Sequence, residues 1–178
     1  DSSMTADVAH LGFIDTGIDY QNSLFRKPDG SSRILGIWDQ TIQPPAAERD
    51  PFFLYGTVYG QPQINTALAS EAPLALVPTT DTNGHGTFMA GVAAGNLSDA
   101  DNFMGAAPDE MIAVVKLKPA KQYLRDFFLI AEDVPAFQEN DIMMGIRYLL
   151  QLTTIYRAPL VVYIGVGTNQ GGHTGQSP

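Results

Sequence analysis

Short apolar runs alternate along this chain with connectors rich in turn-forming residues. Val8 to Ile14 is apolar apart from His10 and Gly12, and Asp15-Thr16-Gly17 closes it, the pattern of a buried strand ending at its carboxyl tip. Ile34 to Trp38 reads as a second strand, entered through the turn Lys27-Pro28-Asp29-Gly30-Ser31-Ser32 and left through Asp39-Gln40-Thr41. From Gln43 to Thr80 neither a helical nor a strand period holds, and Pro, Ala, Gly and aromatic residues predict a long, packed, irregular excursion. His85 to Gly95 is rich in Ala and Gly, with Thr87, Met89 and Ala93 among them. That composition predicts a helix pressed tightly against a sheet.

Met111 to Leu117 is a nearly continuous apolar run and reads as a central strand. Asp141 to Arg157 gives the clearest helical pattern, with Ile142, Ile146, Leu149, Leu150 and Thr153 at helical spacing, Asn140 or Asp141 as N-cap and Arg157 near the C-terminus. Leu160 to Val166 reads as a further buried strand. Strands alternating with helices predict an α/β fold of three layers, a mostly parallel sheet with helices on both faces.

Composition narrows the functional classes. A chain of 178 residues fits one domain that buries about two thirds of its unfolded surface. A formal charge of −9 opposes nucleic acid and anionic membrane as partners, because both demand a basic footprint. With no cysteine there is neither a disulfide framework nor a thiolate metal site, and cysteine usage leaves the compartment open. Residues 1–10 lack the basic and apolar regions of a signal peptide, and no apolar run approaches the roughly 20 residues of a membrane span. Three histidines far apart in sequence, without a His-x-x-x-His spacing, give no reason to expect zinc.

Two residues carry candidate chemistry. Asp15 stands at the carboxyl end of a predicted parallel strand, where open α/β sheets place functional groups. Taken alone, it reads first as the cap of a turn with Thr16 and Gly17. His85, taken alone, reads as a solitary histidine at a helix start. Together they supply an imidazole able to take a proton from a hydroxyl and a carboxylate able to fix its tautomer and stabilise the imidazolium. A helix N-terminus disfavours the protonated ring, and a nearby carboxylate offsets that effect.

Ile14-Asp15-Thr16-Gly17-Ile18-Asp19 resembles the aspartate motif of subtilisin-like serine proteases, and His85-Gly86-Thr87-Phe88-Met89-Ala90-Gly91 resembles their histidine motif, in the family's order. The resemblance implies the subtilisin-like fold, peptide-bond hydrolysis, Asp15 as orienting acid and His85 as base. Lys116 to Asp126, Gln138 to Met143 and Gly167 to His173 further resemble the clostridial spore-germination subtilases, the Csp group. That likeness implies a protein or peptide substrate, such as the precursor of a spore germination hydrolase, and a spore or extracellular location. Gly165-Val166-Gly167, preceded by Tyr163 where Asn is common, stand where the family lines its substrate pocket with Ser-Leu-Gly, and strand pairing with an extended substrate uses main-chain groups that survive the change.

Other departures bear on the reading. Phe88 replaces a histidine common in the family, without touching the catalytic base. Asn22-Ser23-Leu24 lacks a carboxylate that helps hold structural calcium in some relatives, so no cofactor is expected and calcium there is disfavoured. The family's Gly-Thr-Ser-Met-Ala segment and oxyanion Asn have no counterpart, and Ser177 lacks the nucleophile's context. The resemblance therefore implies that residues 1–178 are the amino-terminal portion of a catalytic domain, incomplete on its C-terminal side and inactive alone. Its exposed sheet edge is expected to self-associate. A pseudoprotease acting as a binding or sensing module stays open, as does a generic doubly wound ligand-binding domain. A dinucleotide loop at Gly165-Val166-Gly167 has little weight without a following helix pattern, and His173 and His10 read as a loop and a satisfied sheet-face residue.

Overall fold

The computed structural model describes residues 9–46 and 51–167, so Val8, His173 and Ser177 lie outside the described residues. Strands β1 (His10–Asp15), β2 (Ile34–Asp39), β3 (Thr57–Gly60), β4 (Ile112–Lys116) and β5 (Leu160–Ile164) form a sheet in the order β3-β2-β4-β1-β5. β1 runs parallel to β4 and β5, and β2 runs parallel to β4. β2 and β4 are buried almost throughout, as their apolar sequences require for strands covered on both faces. Asp15 and Asp39 both stand in register with Lys116, so three strand tips form one polar crest.

Helices α1 (Gln61–Leu68), α2 (Pro73–Leu76), α3 (His85–Ala94), α4 (Gln122–Phe127) and α5 (Glu139–Tyr156), with a 3₁₀ turn at Ser23–Phe25, complete the described elements. Because side chains alternate along a strand, the two faces of the sheet bury different sets. Phe13, Ile37 and Val114 pack with Ile64 and Ala67 of α1 and with Ala90 and Ala94 of α3. Ile14, Trp38 and Val115 pack on the opposite face with Tyr148 and Leu149 of α5. Full burial of a side chain such as Leu149 contributes about 2 kcal/mol. A Cβ on Gly12 would stand 2.7 Å from Leu149 Cδ1, so this glycine sets how closely α5 approaches β1. The three-layer, mostly parallel α/β architecture is as the sequence predicts. Among the described residues no helix is long and apolar enough to cross a membrane.

Several local expectations are corrected. The stretch from Gln43 to Thr80 is not wholly irregular: it contains β3, α1 and α2. β3 pairs antiparallel with β2, matching Gly36 with Gly60 and Asp39 with Thr57, and its four residues are too few to establish a period. α5 starts earlier than predicted, with Gln138 as N-cap, and its buried face follows Asp141, Gly145, Tyr148 and Leu149. Leu150 is exposed because it lies a residue's rotation away from that face. Arg157 caps the helix C-terminus in the left-handed region, at φ 52°. β5 ends at Ile164 and is only partly buried, since nothing described pairs with its outer edge. His10 is buried with its ring edge-on to Tyr156, but its Nδ1 has no hydrogen-bond partner, so it is not a satisfied histidine. Burial holds its pKa below the ordinary value, with Glu110 opposing.

Candidate active site

The tip of β1 buries Asp15 completely, which is tolerable for a carboxylate only if its oxygens are met by donors. The backbone N–H of Thr16 donates to Oδ1 at 2.6 Å. His85, first residue of α3, brings Nδ1 to 2.8 Å from Oδ1 and 2.9 Å from Oδ2. An ionised carboxylate only accepts, so Nδ1 carries the proton and Nε2 of the neutral ring is left with its lone pair. The His85 side chain is 46% exposed, whereas that of Asp15 is 0% exposed. A buried anion thus orients a ring that solvent or a substrate can reach, the arrangement needed to accept a proton at Nε2.

Local sequence explains why α3 begins where it does. The first amides of a helix lack intrahelical acceptors, and here each finds a side chain. His85 N–H donates to Asn83 Oδ1 at 3.3 Å, Gly86 N–H to Thr16 Oγ1 at 3.0 Å, and Thr87 N–H to Asp81 Oδ2 at 2.8 Å. Gly84 precedes them at φ 84°, a conformation glycine adopts without penalty. Asp81 also accepts from Gly84 N–H at 3.0 Å, from Thr16 Oγ1 at 2.9 Å and from Thr87 Oγ1 at 2.7 Å. Burial pushes the Asp81 carboxyl upward, but the bonds from Thr87, Gly84 and Thr16 outweigh it and hold the pKa below the ordinary value. Asp81, Thr16 and Thr87 escaped sequence reasoning. The available signal was Asp81 placed just ahead of a His-Gly-Thr helix start.

Gly165 lies directly beside the pair. Its N–H donates to Ile14 O at 2.8 Å, and a Cβ there would fall 1.5 Å from Asp15 Oδ2. The Asp15 carboxylate therefore occupies the space a side chain at 165 would need. Val166 packs partly against the α5-side core, and Gly167 is exposed with open space where a Cβ would project. Burial, with Asp15 adding to it, pushes the Tyr163 hydroxyl pKa up. Phe88, on the first turn of α3, is 66% exposed.

The neighbouring strand tips hold a second polar set. Lys116 Nζ lies 3.6 Å from Asp39 Oδ2 and donates to Thr80 O at 2.7 Å. Asp39, fully buried, also accepts from Thr79 Oγ1 at 2.6 Å. These bonds tie the segment just before Asp81 to the crest of the sheet. Among the described residues no group of three or more His, Cys, Asp or Glu side chains gathers as a metal site. Asn22, in the segment that departs from calcium-holding relatives, accepts from Leu24 N–H and caps the 3₁₀ turn Ser23–Phe25.

The sequence profile of the subtilase family, Peptidase S8, matches residues 9–142. Among solved structures, the Clostridium perfringens CspB protease is similar to this chain at 34% sequence identity and a TM-score of 0.75. The match covers 95% of this chain and 31% of that one, so the chain spans about a third of the relative's length. Comparison with curated protein sequences gave no significant match.

Proposed function

The chain belongs to the subtilase family, and from that premise we propose that it forms part of a serine endopeptidase in which Asp15 is the orienting acid and His85 the general base. The observation that carries this reading is His85 Nδ1 within hydrogen-bond distance of both oxygens of a wholly buried Asp15. The nucleophilic serine is supplied from outside these 178 residues. It meets Nε2, gives up its proton there, and attacks the scissile carbonyl. The imidazolium that forms is stabilised by Asp15 and then protonates the leaving amine.

Gly165, Val166 and Gly167 serve as the edge along which an extended peptide pairs through main-chain groups. The open space at Gly167 supports that role, while the position of Gly165 gives it a further one in accommodating Asp15. The substrate is a protein, and likeness to a Csp protease supports a germination hydrolase precursor as the natural target.

The test is labelling of the full-length protein by a serine-directed fluorophosphonate, together with hydrolysis of peptide and protein substrates. His85→Ala is expected to abolish labelling and to lower hydrolysis by about 10⁶-fold, the loss that follows removal of the base from a subtilisin triad. Folded wild-type protein that neither labels nor hydrolyses would overturn the reading in favour of a pseudoprotease that binds without cutting.

The outer edge of β5, with Val161 59% and Ile164 42% exposed, is where we place self-association of this stretch when expressed alone. Val161→Lys is expected to shift its sedimentation toward monomer.

A further inference from the structure

We propose that Asp81 is a positioning residue that holds the Asp15 and His85 segments in register. The inference rests on the protease reading for its effect on rate, but its geometric content does not. Two threonine hydroxyls bridge the gap between the β1 tip and α3 in opposite directions. Thr16, on the β1 side, accepts the N–H of Gly86 on α3 at 3.0 Å. Thr87, on α3, accepts the N–H of Asp19 on the β1 side at 2.9 Å. Each hydroxyl has spent a lone pair on a backbone donor and has one proton to place. Both protons point to Asp81, Thr16 Oγ1 at 2.9 Å from Oδ1 and Thr87 Oγ1 at 2.7 Å from Oδ2.

Two backbone donors complete the set. Gly84 N–H reaches Oδ1 at 3.0 Å and Thr87 N–H reaches Oδ2 at 2.8 Å. Both oxygens therefore receive two donors each, and only a side chain that accepts on both can satisfy them. Asn would turn an amide N–H₂ toward one of these pairs, so Asp→Asn is not conservative here. The anion also faces the positive end of α3, where negative charge is favoured. Thr16 and Gly86 are the immediate neighbours of Asp15 and His85, so slack in this clamp passes directly to the Nδ1 contact. A displacement of about 1 Å between reacting groups lowers rate by up to 10²-fold.

The experiment uses full-length protein carrying Asp81→Asn, Thr16→Val and Thr87→Val. The readouts are kcat and KM separately, the low-field proton NMR line of His85 Nδ1–H, and thermal unfolding as a check on folding. Asp81→Asn is expected to lower kcat about 10- to 100-fold with KM changed less than twofold, and to shift or broaden the low-field line. The double variant with Thr87→Val is expected to lose little more than Asp81→Asn alone, because both act through one network. Should Asp81→Asn fail to fold, Thr16→Val, which removes the Thr16 link alone, carries the same expectation at smaller size. A folded variant with an unchanged line and kcat within twofold would overturn the proposal. If wild-type protein hydrolyses nothing, the protease reading fails by itself. The line still decides on Asp81, supporting the clamp if it is present in wild type and displaced in the variants, and overturning it if it is absent or unmoved.

Discussion

A Cβ on Gly86 would stand 2.2 Å from the carbonyl oxygen of Gly17 and 3.0 Å from its amide nitrogen, so α3 lies against the β1 tip only because residue 86 has no side chain. The atoms in the way are backbone, which cannot swing aside as a flexible side chain would. Gly86→Ala is therefore expected to push the first turn of α3 outward and part His85 from Asp15. The overpacking cost is about 2 kcal/mol, read by chemical denaturation. Peptide hydrolysis by the full-length protein is expected to fall at least about tenfold. A variant with unchanged activity would show that the two segments tolerate a wider spacing than their contacts indicate.

The tautomer of His85 yields a second expectation. Asp15→Asn keeps the shape of the acid but offers an amide that can donate to Nδ1, which turns the ring to the tautomer with its proton on Nε2. A ring in that state cannot accept the serine proton, and kcat in the complete enzyme is expected to drop by about 10⁴. Pre-steady-state hydrolysis by Asp15→Asn, compared with Asp15→Ala, measures how much of the loss is tautomer and how much is lost charge.

Acid sensitivity follows from Asp81. Its folded pKa lies below the ordinary 3.8, because the bonds from Thr87, Gly84 and Thr16 outweigh the upward push of burial. A depressed carboxyl contributes stability that is fully present above the unfolded pKa and is lost as pH falls through the folded one. The stability gap between wild type and Asp81→Asn is thus expected to be constant near neutrality and to shrink below about pH 3.8. Urea denaturation at a series of pH values checks this. A gap that stays the same down to full unfolding would mean that the charge of Asp81 contributes nothing.

A partly buried ion pair anchors the start of α5. Asp141 is 5% exposed in its side chain, pairs with Lys118 Nζ and accepts from Tyr55 Oη at 2.7 Å, while its backbone carbonyl accepts from Gln40 Nε2 at 2.9 Å. Burial, and then the bond to Asp141, pushes the Tyr55 hydroxyl pKa strongly upward, so it remains a donor at every pH of interest. Lys118→Met strands the Asp141 charge and is expected to cost about 3 kcal/mol. Adding Asp141→Leu to that variant is expected to recover part of the loss, since a buried pair replaced whole by apolar groups often costs little. Thermal unfolding of the two variants distinguishes a stranded charge from a simple loss of packing.

The sequence alone determined what depends on neighbours close in the chain. The apolar runs of β1, β2 and β4 announce strands covered on both faces, and the small residues of α3 announce close approach to a sheet. Asp15 and His85 were legible as residue types set in motifs, because a strand-end carboxylate and a helix-start histidine each leave a local mark. β3 and α1 left too weak a mark inside the aromatic and Pro-rich stretch, and the buried face of α5 was misjudged by its Leu150.

Tertiary structure decided the rest, because it concerns distances between residues with no short-range pattern in common. Sheet order places β1 between β4 and β5 and sets the α3 start over the β1 tip, which brings Nδ1 of His85 to the carboxylate of a residue 70 positions earlier. Nothing near Asp81 in sequence reveals that Thr16 and Thr87 will both aim their hydroxyl protons at it. Gly165 likewise reads as part of a substrate strand until its missing side chain is seen to make room for Asp15. Local pattern encodes burial and turn chemistry, whereas the direction of a hydrogen bond across a strand-helix junction exists only once both partners are packed in place.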